Sequence, residues 1–103
     1  MNKHEVWEYV EKLETRFNAL ADQVWSTPET CYAEKKSMEA HSKELENNRF
    51  KIKRNVADMP TAIIGESGSN GPVIAFLGEY DALAGLSQEP DVFEEKPIKK
   101  GGN

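Results

Sequence analysis

The chain has 103 residues, 38 % of them hydrophobic and 30 % charged, which is the composition of one soluble globular domain. Its net charge is −5, and its 13 Lys and Arg are scattered among 18 acidic residues, which argues against a nucleic-acid partner. No apolar run approaches the roughly 18 residues of a membrane span, residues 1–10 lack a signal-peptide core, and the single cysteine fits a reducing compartment. The sequence therefore predicts a cytoplasmic protein.

The first predicted element is a long amphipathic helix. Asn2 and Glu5, three residues apart, form the pattern of a capping pair at its start. The segment "STP" at residues 26–28 predicts its end, because a residue before proline is pushed out of the α conformation. Steps of three and four predict one stripe packed in the core: Trp7, Val10, Leu13, Phe17, Leu20, Ala21, Val24 and Trp25.

A second helix is predicted to follow directly. Thr27 suits its N-cap and Pro28 its first turn, and Asn47 or Asn48 suits the left-handed residue at its end. The apolar stripe is thinner: Tyr32, Met38, His41 and Leu45. Both histidines of the chain, His4 and His41, lie in polar helical contexts, so the sequence predicts them to be solvated surface side chains.

Three strands and a tail complete the predicted order of elements. "FKIKRNV" at 50–56 alternates, "TAIIGE" at 61–66 follows, and the short loop "SGSNG" predicts that strands two and three pair as a hairpin. Residues 73–77 are apolar at every position, which is typical of a strand covered on both faces. The predicted fold is α/β, with the ordered portion at 1–87 and a loop or disordered tail at 88–103.

Two carboxylates, Glu79 and Asp81, stand at the end of the third predicted strand. Ligands of open α/β sheets gather at such ends, and alternate residues of an extended chain point the same way, with Tyr80 between them facing into the packing. The pair could serve a metal site or a proton transfer. The alternative is that both acids are solvated, with Asp81 capping a turn that begins at Ala82.

Three segments of the chain resemble the aminoacylase-like zinc amidohydrolases, a metallopeptidase family, and most closely the branch that hydrolyses p-aminobenzoyl-glutamate. They are "ALADQVWSTPET", "RNVADMPTAIIG" and "GPVIAFLGEYDALAGLSQ". The resemblance covers roughly residues 5–88 and implies the N-terminal part of an α/β/α catalytic domain, with two helices followed by a three-stranded mixed portion of its sheet. Arg49 departs from the glycine that relatives tend to have at the turn after the helix.

The resemblance also implies an activity, namely hydrolysis of an amide bond by water activated between two metal ions about 3.5 to 4 Å apart. Asp81 matches the aspartate that orients a metal ligand. Glu79 occupies the position where many relatives have a metal-binding histidine and where the branch that this chain resembles has an acid. Further ligands and the general base would follow Asn103, so we expect a chain truncated before the metal-binding segment, inactive alone and without bound zinc or another divalent metal.

Two functions are therefore open. The chain is either part of a metal-dependent amidohydrolase acting on an N-acyl amino acid, an aminobenzoyl-glutamate-like compound or a small peptide, or a stand-alone, non-catalytic interaction module that retains part of the fold. In either case an exposed sheet edge would allow self-association. Neither function involves nucleic acid or membrane.

Overall fold

The structure, a computed structural model, describes residues 1–103 and contains two helices and a two-stranded sheet. The elements are α1 (Lys3–Trp25), α2 (Lys35–Asn47), β1 (Lys51–Arg54), a 3₁₀ turn (Val56–Asp58) and β2 (Ile63–Glu66). The predicted mixture of helix and strand is confirmed. No helix is both long enough and apolar enough to cross a membrane.

Helix α1 begins at a capping box, as its sequence predicted. The Asn2 side chain accepts from the Glu5 backbone N–H at 3.0 Å, and the Glu5 carboxylate accepts from the Asn2 N–H at 2.6 Å. The helix ends at Trp25, with Ser26 as its C-cap, two residues before Pro28. These signals predicted the helix correctly because they depend on neighbours in the sequence alone.

The apolar stripe of α1 is not the core that its spacing predicted. No residue of this helix is buried, and Trp7 and Trp25 are 50 % and 57 % exposed. Its contact with α2 is partly polar, because Arg16 Nε lies 3.0 Å from a carboxylate oxygen of Glu44. Periodicity shows which face of a helix is apolar, but it does not show that another element covers that face.

Helix α2 begins at Lys35, seven residues later than predicted. The prediction of a start at Pro28 was wrong because the chain turns first, with Tyr32 in the left-handed region at φ 65°. Glu29 reaches across this turn to cap the helix. Its carboxylate oxygens accept from the backbone N–H of Lys36 at 3.0 Å and of Ser37 at 2.8 Å, and also from the Ser37 hydroxyl at 2.9 Å.

The pKa of Glu29 reflects this capping role. Desolvation acts to raise the pKa, but the hydrogen bonds from Lys36 and Ser37 and the positive charge of Lys36 outweigh it, and the pKa lies below its ordinary value of 4.5. A carboxyl group whose pKa falls on folding stabilises the folded state above its unfolded pKa. That stabilisation is lost as the pH falls through the folded pKa.

We expect Glu29→Ala to open the first turn of α2. Hydrogen exchange of the Lys36 and Ser37 amides should become about five- to tenfold faster near pH 7, the usual effect of losing an N-cap. In the unchanged chain the same amides should lose protection as the pH falls below 4.5, whereas the variant should lack this acid dependence. Glu14→Ala, at an exposed position of α1, is the matched control. Equal exchange in Glu29→Ala and Glu14→Ala would contradict the assignment.

The end of α2 is capped by Asn48, whose side-chain amide donates to the backbone carbonyl and carboxylate of Glu44. The left-handed residue is Arg49, at φ 65°, and not Asn47 or Asn48 as predicted. A side chain with a Cβ is strained in this conformation, which explains why glycine suits the position.

The sheet pairs β1 with β2 in antiparallel register, with Lys51 opposite Glu66 and Arg54 opposite Ile63. The predicted hairpin between the second and third strands was wrong, because the hairpin joins the first and second. Helix α2 lies close to this sheet at Gly65, where an added Cβ would stand 3.0 Å from a methyl group of Leu45. The space there is tight, so that a larger residue would require the Leu45 side chain to shift.

The predicted third strand is absent, and the three-stranded sheet is corrected to two strands. Residues 73–77 form no strand, and Val73, Phe76 and Leu77 are 97 %, 94 % and 101 % exposed. Continuous apolar patterning predicts a strand only where neighbours cover both of its faces. Nothing within these 103 residues covers this segment on either face.

The molecule is open for its size. Its accessible surface of 8886 Å² exceeds the roughly 5,800 Å² expected of a folded protein of its mass, and its radius of gyration of 16.3 Å exceeds the ~13 Å typical of this length. Ala40 is the only hydrophobic residue among the six that are buried. The contact of α2 with the hairpin therefore organises the fold without a large apolar core.

Candidate functional site

The segment that carries Glu79 and Asp81 is held by one backbone anchor. Ala82 donates its N–H to the carbonyl of Glu29 at 2.8 Å, next to an isolated parallel bridge between Thr30 and Ala82. The candidate carboxylates thus lie beside the turn that precedes α2. Both are exposed.

A groove of about 970 Å³ lies between the C-terminal half of α1 and residues 79–88. Glu79 and Asp81 both line this groove, which places the two candidate side chains at one concave surface. Part of its apolar lining comes from the stripe of α1, namely Phe17, Leu20, Val24 and Trp25. The groove has the volume of a small-molecule site, although it is open.

The chain end closes one side of the groove. Ser87 donates its N–H to the carbonyl of Gly102 at 2.8 Å, and Lys99 donates its N–H to the Ser87 hydroxyl at 3.1 Å. The side-chain oxygen of Asn103 accepts from the N–H of Gly85 at 3.1 Å, and Asn103 also lines the groove. Residues 96–103 thus fold back onto residues 85–89.

Tyr80, between the two acids, is the anchored member of this segment. It is half-buried, its hydroxyl donates to the backbone carbonyl of Thr61, and its ring lies 5.1 Å from the ring of His41, centroid to centroid. Desolvation raises the pKa of Tyr80, and the charge of Glu34 raises it further. The hydroxyl is therefore protonated at neutral pH and serves as a hydrogen-bond donor.

His41 is the site residue whose prediction needs correction. The sequence predicted a solvated surface side chain, but the imidazole is half-buried and lines the groove together with Tyr80. Its Nδ1 lies 2.9 Å from the carbonyl of Ser37. Because a carbonyl oxygen only accepts, Nδ1 is the donor in this contact. His4, in contrast, is exposed as predicted.

Glu34 was missed entirely by sequence reasoning. It is only 7 % exposed, and its Oε2 has no hydrogen-bond partner. It stands at the N-cap of α2 but makes no side-chain cap bond, since Glu29 fills that role. Nothing in the local pattern "YAEKKS" distinguishes Glu34 from its solvated neighbours. Tyr80, whose pKa is raised by desolvation and further by the charge of Glu34, lies 46 positions away.

The acids and histidines of this chain do not fit a metal centre. No group of three or more His, Cys, Asp or Glu side chains is placed so that it could hold a metal ion, and a zinc site takes at least three protein ligands. Cys31 is exposed and unpaired. The groove therefore offers carboxylates and an imidazole, without an assembled set of metal ligands.

Comparison with known proteins shows that the chain is similar in sequence to part of an enzyme subunit. It is 44 % identical over 88 residues to one of the subunits of p-aminobenzoyl-glutamate hydrolase from Escherichia coli (strain K12). The matched region is 85 % of this chain but only 18 % of that protein. The predicted resemblance to p-aminobenzoyl-glutamate hydrolase is confirmed over these 88 residues. No protein-family model matches the chain, and no solved structure matches it.

Proposed function

We propose that this chain is part of a metal-dependent amidohydrolase that cleaves an amide bond of an N-acyl amino acid, an aminobenzoyl-glutamate-like compound or a small peptide. The observation that carries the proposal is the 44 % identity over 88 residues to a hydrolase subunit. The relative's name includes p-aminobenzoyl-glutamate, which makes that compound the first substrate to test.

In this proposal the residues that line the groove form one side of a larger active site. Asp81 acts as an orienting carboxylate, and Glu79 faces the same space. The chain spans 18 % of the length of its relative, and its own side chains do not assemble a metal centre. Zinc or another divalent ion would therefore be held by residues outside these 103, and the chain alone is expected to hydrolyse nothing.

The experiment compares the 103-residue chain with the longer protein that would contain it. We expect the longer protein to release p-aminobenzoate from p-aminobenzoyl-glutamate, to lose this activity with a chelator and to regain it with Zn²⁺ or Mn²⁺. The chain alone should show no hydrolysis above background, because its side chains do not assemble a metal centre. N-acetyl amino acids and dipeptides, assayed in parallel, define the substrate class.

Absence of hydrolysis by the longer protein with all three classes of substrate would overturn the proposal. The alternative, a non-catalytic interaction module, is supported by the exposed apolar segment at 73–77. A stable, specific complex of the 103-residue chain, together with an inactive longer protein, would favour this alternative.

A further inference from the structure

The two candidate carboxylates lack the support that a strand would give them. Residues 73–77, which lead into Glu79 and Asp81, pair with no other segment and are exposed. Side chains at a binding or catalytic surface need a fixed backbone, since small misplacements weaken their contribution. Another part of the molecule must therefore fix residues 79–81.

Tyr80 provides that fixation from the position between the two acids. Its hydroxyl bonds to the carbonyl of Thr61, a residue only 6 % exposed that precedes β2. Its ring lies against His41 of α2 at 5.1 Å. One side chain thus ties the segment both to the hairpin and to α2.

The surroundings of Tyr80 keep its hydroxyl group protonated. Burial and the nearby negative charge of Glu34 both disfavour the phenolate. The bond to Thr61 therefore persists through neutral pH. The second anchor, from the Ala82 N–H to the Glu29 carbonyl, lies on the other side of Asp81. Asp81 is the residue held between the two anchors.

We propose that Tyr80 is a positioning residue, whose hydrogen bond to the Thr61 carbonyl fixes the backbone from which Asp81 projects into the groove. This inference rests on the proposed function for its kinetic consequence, but not for its structural one. It assigns Tyr80 no contact with substrate in the reaction. It also explains why an aromatic side chain with a donor stands between two exposed acids.

The structural test uses the 103-residue chain and Tyr80→Phe, which keeps the ring and removes only the hydroxyl. Backbone ¹⁵N relaxation should give order parameters for residues 79–82 that fall from about 0.85 in the unchanged chain to below about 0.6 in the variant. Tyr9→Phe, at a 57 % exposed position of α1, is the matched control and should leave these values unchanged. Unchanged order at residues 79–82 in Tyr80→Phe would overturn the inference whatever the enzyme does.

The kinetic test uses the longer protein. Tyr80→Phe should lower kcat about three- to tenfold with KM changed less than about twofold, and it should have no further effect in an Asp81→Ala background, since contacting residues couple and independent ones add. Equal losses in both backgrounds would show a general destabilisation and overturn the inference. Should Tyr80→Phe fail to fold, His41→Leu removes the other contact of the ring and is expected to give the same Asp81-dependent pattern. An inactive unchanged enzyme would refute the proposed function, and the relaxation result would still decide the role of Tyr80.

Discussion

Asp81→Ala is expected to lower kcat/KM for amide hydrolysis by the longer protein about 10- to 100-fold, the usual cost of losing an orienting carboxylate. The reason is positional, because Asp81 lines the groove and is flanked by the anchored residues Tyr80 and Ala82. Steady-state kinetics with p-aminobenzoyl-glutamate measures the effect.

The control for this change is Asp22→Ala, at an exposed position of α1 that does not line the groove. It should leave kcat/KM within about twofold of the unchanged enzyme, as surface substitutions usually do. Both variants should unfold at similar denaturant concentrations. If the Asp81→Ala enzyme is as active as the Asp22→Ala enzyme, the proposed role of Asp81 as an orienting carboxylate is wrong.

Phe76→Lys is expected to weaken any self-association that the 103-residue chain forms through residues 73–77. Phe76 is 94 % exposed in a segment that is apolar throughout, and burying such a side chain between two copies stabilises each contact by about 1.5 to 3 kcal/mol. A symmetric pair makes the contact twice. The dimer dissociation constant should therefore rise by more than about 100-fold. Sedimentation velocity over a range of chain concentrations measures the change.

The matched control is Phe93→Lys, which alters an equally exposed phenylalanine outside residues 73–77. It should leave self-association unchanged. If the unchanged chain remains monomeric at about 100 μM, a concentration at which even weak dimers form, then the exposed segment does not bind a second copy. If both lysine variants dissociate the dimer, the effect is one of net charge and not of the segment.

Features that depend on adjacent residues were predictable from the sequence, and the capping box of Asn2 and Glu5 is an example. For the candidate site, the spacing of Glu79 and Asp81 suggested one shared surface; both line one groove, while their roles stay predictions. Features that join distant parts of the chain were not predictable. The contact of Tyr80 with the Thr61 carbonyl spans 19 residues, and nothing near either residue indicates it.

The failed prediction of a third strand has a specific physical cause. The apolar run at 73–77 indicates a segment that favours cover on both faces, but the pattern does not say which polypeptide supplies the cover. The same reasoning explains the exposed stripe of α1. The hydrophobic pattern indicates which surfaces of a segment favour burial, whereas the structure shows which of those surfaces this chain covers.

Glu29 does two jobs with two different groups. Its carboxylate holds the first turn of α2, while its backbone carbonyl holds Ala82 beside the groove. A molecule that binds in the groove and reduces the mobility of residues 79–82 would also reduce the mobility of Glu29. The conformational entropy lost on binding would then include that of the first turn of α2. Because Glu29 contacts both the groove segment and the first turn of α2, ligand binding in the groove is expected to slow the opening of that turn.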